Sequence, residues 1–193
     1  MAQRILEIKR KTLLKYSSKD TPERVDRSKS LSYTFVDFVE KSLEEEYSAK
    51  FLGKVTGGAE SHTTRISVQQ ILENVRFFLL KNDKQISDLT NADAVSIIAQ
   101  AVRENDLNVH CDCGDFQYRF SYSATIKGYD IKDYKELRPA RQTNPHNKGA
   151  LCKHLLTSFR QNTFIRRGAA QFLRELKNNE AKYLEIMNLD NIE

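Results

Sequence analysis

The sequence predicts an α+β protein, mostly helical, with short strands gathered around a knuckle of sulfur and imidazole ligands. Three observations predict it. Apolar residues recur at helical spacing from Val68 to Leu79, from Val95 to Val102 and from Ile165 to Leu176. Leu107, Val109 and Cys111 alternate with polar neighbours, as a half-buried strand requires. The three cysteines stand in tight pairs, Cys111-x-Cys113 and then Cys152-x-His154.

Taken in chain order, residues 1–15 interleave Ile5, Leu6, Ile8, Leu13 and Leu14 with Arg4, Lys9, Arg10, Lys11 and Lys15. That mixture reads as a basic arm and lacks the apolar core of a secretory signal. Ser17 to Ser30, polar and holding Pro22, reads as loop or an attachment for the arm. Phe35, Val36, Val39 and Leu43 form one helical stripe within 34–46, with Ser32 or Thr34 as caps. Ala49 to Val55 reads as a short strand ending at Gly57-Gly58. Val68, Ile71, Leu72, Val75, Phe78 and Leu79 predict the clearest helix in the chain. A further helix carries Val95, Ile98 and Val102, capped by Asn91 or Asp93 and ending near Asn105.

Residues 116–122 fit two periods. Phe116, Tyr118, Phe120 and Tyr122 alternate as in a strand, yet the i, i+4 pairs also suit a helix. Gly128 to Gly149 reads as loop, broken by Pro139, Asn144-Pro145 and Gly149. Leu151 to Arg160 reads as helix, and a last amphipathic helix carries Ile165, Ala169, Phe172, Leu173 and Leu176. The chain thus divides into a basic arm (1–31), a helical region with one short strand (32–106), a metal region (107–160) and a C-terminal helix with tail (161–193).

Composition narrows the class. At 39% hydrophobic and 30% charged, the chain suits a soluble globular protein. No apolar run approaches the roughly 20 residues that span a bilayer, so no membrane partner is expected. The net charge of +5 is uneven: residues 1–31 carry nine Lys/Arg against four Asp/Glu, and 151–177 carry six against Glu175 alone. Both zones suit either phosphate contact or a solvated face. The expected location is a reducing host cytoplasm, where clustered cysteines more often hold metal than form disulfides.

Three thiolates and one neutral imidazole make a complete tetrahedral set for structural zinc, Cys₃His. On that reading Cys111, Cys113, Cys152 and His154 are the ligands, and Zn²⁺ is a structural cofactor. The C-x-C pair arrives on a strand, and the C-x-H pair opens a helix. The 38 residues between the pairs add little closure penalty, because loop entropy grows only logarithmically. Such a cluster carries a charge of about −1, and Lys148 and Lys153 lie near it in sequence. His110 and His146 are rival ligands. His110, however, precedes Cys111 on an alternating strand and so points away, and His146 belongs to the Asn144-Pro145 turn. The plainer alternative, three unligated thiols in an apolar core, leaves the paired spacing and the final histidine unexplained.

With Cys-Lys-His-Leu-Leu at its end, the C-x-C … C-x-H pattern resembles the SWIM-type zinc finger. The stretch Asp112 to Phe120, followed by Asn144-Pro145 and Lys148 to His154, looks especially like bacteriophage-encoded variants. The resemblance covers 107–160 and implies the same four ligands and a role in binding nucleic acid or protein. The segment between the pairs is longer than in most members, and residues 1–105 carry no such likeness.

Four protein ligands leave zinc no open position, so the expected protein is not an enzyme and has no small-molecule substrate. The zinc deaminase signature is missing, as are the glycine-rich phosphate loops. Asp112 and Asp115 are nuclease candidates only if a second metal offsets the neighbouring thiolates. The expected role is binding or assembly with other protein subunits, as a phage virion or morphogenesis component. The alternative partner is DNA or RNA, held by Arg119, Lys132, Lys135, Arg138, Arg141 and Lys148 among the aromatics of the insertion. For the rings at 116–122, packing over the knuckle is the favoured reading.

Overall fold

The computed structural model describes residues 9–39, 47–131 and 135–187. Within them lie eight α-helices and four strands. Helices α1 (Arg10–Asp20) and α2 (Pro22–Ser28) precede strands β1 (Ser32–Val39), β2 (Ala49–Thr56) and β3 (His62–Val68). Next come α3 (Ile71–Asn82), α4 (Asn91–Glu104) and β4 (Leu107–Cys111). A π-helical turn (Phe116–Phe120) runs into α5 (Ser121–Lys127), and α6 (Lys153–Gln161), α7 (Thr163–Asn178) and α8 (Glu180–Ile186) complete the chain. The strands form one antiparallel sheet in the order β1-β2-β3-β4. The α+β expectation therefore holds.

Two strands correct the sequence reading. Residues 32–39 are strand rather than helix, and Leu43 lies outside the described residues. The reason is a bulge: the β1–β2 register slips between Phe35 and Asp37. Tyr33 and Phe38 are buried and Phe35 is half-buried, while Val36 stays 52% exposed. The extra residue turns a two-residue alternation into a spacing that imitates a helix. The second correction is Val68, which ends β3 rather than opening a helix. Gln70, at φ +52°, bends the chain between them, so α3 begins at Ile71.

The polar stretch 17–30 is also corrected. It is largely helical, with Pro22 at the first position of α2, where its missing N–H costs nothing. In α4 the cap is Thr90, not Asn91. The Thr90 hydroxyl accepts from the Asp93 amide at 3.2 Å and the Asp93 carboxylate accepts from the Thr90 amide at 2.8 Å. Lys84 and then Thr90 hold the Asp93 carboxyl down to about 2.

One face of the sheet carries α6 and α7. Phe51 of β2 and Phe38 of β1 meet Phe164 and Phe172 of α7 with ring centroids 5.3 to 5.9 Å apart. All four rings are essentially buried, and each contributes about 1.5–3 kcal/mol by leaving water. The crossing is close because Gly168 of α7 faces the Phe51 ring: a Cβ there would stand 2.7 Å from Phe51 Cε1. Gly168→Ala sets a helix-propensity gain of about 1 kcal/mol against overpacking of about 1–3 kcal/mol. The ring is locked in the core, so overpacking prevails, and urea denaturation is expected to show a net loss of about 1 kcal/mol.

Candidate metal centre

Cys111 ends β4, whose register sets it opposite Thr64 of β3. The chain then reverses through Asp112 to Gly114, and Cys113 anchors the π-helical turn. Its carbonyl accepts from the Phe116 and Gln117 amides at 3.0 Å, and its Sγ accepts from the Phe116 amide at 3.3 Å. Cys152 stands immediately before α6, with extended backbone, so His154 lies in the first turn of that helix. Gly149, at φ +72°, prepares this approach: a Cβ would stand 3.0 Å from Thr21 and 3.2 Å from the Phe120 ring.

These elements bring Cys111, Cys113, Cys152 and His154 together. All four are buried, and their ligand atoms lie within 4.8 Å of one another. Cys111 Sγ is 3.8 Å from His154 Nδ1. Zinc–sulfur bonds of about 2.3 Å place tetrahedral corners about 3.8 Å apart, so the donor set fits zinc in chemistry and in span. The sulfurs are strongly interdependent. Donation from Cys111, then Cys152, holds the Cys113 thiol far below its usual range, while burial pushes Cys152 well above it. Full ionisation of all three sulfurs therefore calls for a cation among them. Zinc would supply that charge and a fixed junction between β4 and α6.

Around the donors lies a shell that spacing did not reveal. Arg24 of α2 donates to both carboxylate oxygens of Asp115, at 2.8 and 3.0 Å. Its guanidinium also lies 5.4 Å from the centroid of the Phe120 ring. The bond to Asp115 chiefly raises its pKa, and the field of Cys152 adds to it. His62 of β3 lays its ring on His154, centroids 4.3 Å apart, and sets its Nδ1 3.2 Å from Asp112 Oδ1. Neither residue belongs to a motif; only the fold brings them here. The N-terminal helices reach the same region through polar bonds. The Leu151 amide donates to Ser17 Oγ at 3.1 Å, the Gly149 amide to Asp20 at 3.0 Å and the Thr157 hydroxyl to the Ser28 carbonyl at 3.0 Å.

The long insertion folds back onto the knuckle. Asn144 is buried; its amide donates to the Arg119 and Lys148 carbonyls at 3.0 Å, and its oxygen accepts from the Lys148 amide at 2.8 Å. The 116–122 ambiguity resolves to helix. Phe116 and Phe120 are fully buried, whereas Tyr118 is 71% exposed. His110 turns from the donors toward Asp130, 3.5 Å away, and His146 is exposed in its turn.

Two of the cations named for nucleic acid are paired with carboxylates. Arg119 pairs with Asp115 at 3.2 Å and Arg138 with Glu136 at 2.8 Å. Lys135, Arg141 and Lys148 are exposed, and Lys132 lies outside the described residues. No helix among the described residues is long and apolar enough to cross a membrane.

No family model, curated protein or solved structure matches the chain. The likeness to SWIM-type fingers therefore rests on the four donors and their spacing.

Two substitutions probe the centre. Cys152→Ser removes one of the sulfurs, and elemental analysis is expected to fall from about one zinc per chain to near none. Hydrogen exchange should then speed in β4 and α6 together, and unchanged zinc content would count against the ligand set. Arg24→Ala breaks an ion pair whose side chains are 10% and 30% exposed. Partial exposure puts the loss below the 3–5 kcal/mol of a fully buried pair, at about 2 kcal/mol by urea denaturation. Arg24→Lys should recover little of it, since an ammonium cannot grip both oxygens.

Proposed function

We propose that this protein is a non-enzymatic binding protein whose metal region is closed by one structural zinc ion, and that it acts in assembly with other protein subunits. The observation that carries this reading is the completeness of the donor set: four buried protein ligands within 4.8 Å. A tetrahedral ion so held has no vertex for water or substrate, which is the signature of structural rather than catalytic zinc. All four donors are buried, which keeps solvent away from them. The pattern's likeness to phage-encoded variants points to a virion or morphogenesis component, made in the host cytoplasm.

A second reading, nucleic-acid binding, is favoured by one observation. Tyr118, Lys135, Arg138, Arg141 and Lys148 are all exposed on the segment that the knuckle closes. Aromatic and cationic groups in such company suit a single strand.

Cobalt substitution tests the closed site. Co²⁺ in this centre is expected to give the intense visible bands of a four-coordinate ion and the charge-transfer bands of thiolate ligation, unchanged by added azide or cyanide. A weak five- or six-coordinate spectrum, or one that shifts with those anions, would show an open vertex and overturn the non-catalytic assignment. Purification from the native source then distinguishes the partners: copurifying particle proteins support assembly, and copurifying nucleic acid supports the second reading.

A further inference from the structure

Beside the metal centre, and lined by none of its four donors, lies a cleft of about 550 Å³. Arg65, His110, Tyr118, Ser121, Lys135 and Arg138 are among its walls. That volume lies within the span of small-ligand sites.

Its most distinctive wall is the π-helical turn. Such turns are rare in proteins and gather at functional sites. Here the Ser121 amide bonds back to the Phe116 carbonyl, five residues earlier, which sends Phe116 and Phe120 into the core and leaves Tyr118 outside. The Tyr118 backbone is nevertheless held firmly. The Thr143 hydroxyl donates to its carbonyl, and the Asn144 amide holds the next carbonyl at 3.0 Å. An exposed ring on so well anchored a backbone presents a face with little ordering cost left to binding.

The floor is polar and fixed. His110 is 5% exposed and stands 3.5 Å from Asp130 Oδ1, while the Ser121 hydroxyl donates to Asp130 Oδ2 at 3.1 Å. At the mouth the carboxylates are already engaged. Asp112 accepts from the Thr63 amide at 3.0 Å, and Glu136 forks onto Arg138 and is held down to about 2 by it. Lys135 has no such counterion among the described residues. An aromatic wall, a polar floor and one uncompensated cation at the rim match a base, its edge and its phosphate.

We infer that this cleft takes one nucleotide of single-stranded nucleic acid, with Tyr118 stacking on the base and Lys135 holding the phosphate. The inference rests on the nucleic-acid reading above and gives that reading a place.

Fluorescence anisotropy with labelled dT₁₂ and U₁₂, on the full zinc-loaded chain, tests it. Tyr118→Ala is expected to weaken binding about tenfold, and Tyr118→Phe to leave it essentially unchanged, because stacking needs the ring and not the hydroxyl. Lys135→Gln should reduce the slope of log affinity against log salt by about 0.7. Both side chains are exposed, so melting should not move. Wild-type binding that ignores Tyr118→Ala and Lys135→Gln overturns the cleft while leaving the nucleic-acid reading intact. Equal loss in Tyr118→Phe and Tyr118→Ala overturns stacking. Wild-type protein that binds neither strand at low salt removes the reading and the cleft together.

Discussion

Three sulfurs and an imidazole crowded within 4.8 Å in a dry interior set the terms for everything near them. Buried thiolates repel one another and have no water to screen them, so the surroundings must either keep protons on them or supply positive charge. The protein answers with geometry that suits a divalent ion and with Arg24 just beyond the donors. The structural consequence is a junction. The end of β4 and the π-helical turn are separated from the start of α6 by most of the insertion, and the three share one small volume here.

That junction explains why polar contacts dominate its outer layer. Helices α1 and α2 bury Leu13, but they also bury Ser17, Arg24 and Ser28, and each of the three finds a partner in the metal region or in α6. Hydrogen bonds of this kind add about 0.5–1.5 kcal/mol each when formed and cost more when one partner is lost. Their larger effect is on position. They hold the approach to Cys152 and the first turns of α6 in one arrangement, so that the second ligand pair meets the first with little freedom left to lose.

The donors lie inside, closed by protein on every side that the ligand set uses. The insertion exposes its loop cations, and beside the donors lies the cleft framed by Tyr118 and Lys135. Under the proposed function, a metal that only staples would leave recognition to the chain it closes, the insertion first of all.

Some of this was legible in residues alone. The paired spacing announced a tetrahedral donor set, because only a few side chains bind zinc and all three cysteines stood in the two pairs. Strand β2 and helices α4 and α7 were legible because each buries mainly one face and therefore writes its period into the sequence. Elements that dock by other means left no such trace. The β1 bulge disguised its period, α1 and α2 attach through polar groups, and β3 hid beside a stronger helical stripe. Rings 116–120 fitted two periods until the π turn chose between them. Arg24 and His62 reach the donors from remote stretches of chain, and nothing in their own neighbourhoods foretells it. Local pattern determined which residues could bind a metal and which faces had to be buried. Tertiary packing alone decided what surrounds the metal site and where a cleft opens beside it, because those depend on contacts between segments far apart in sequence.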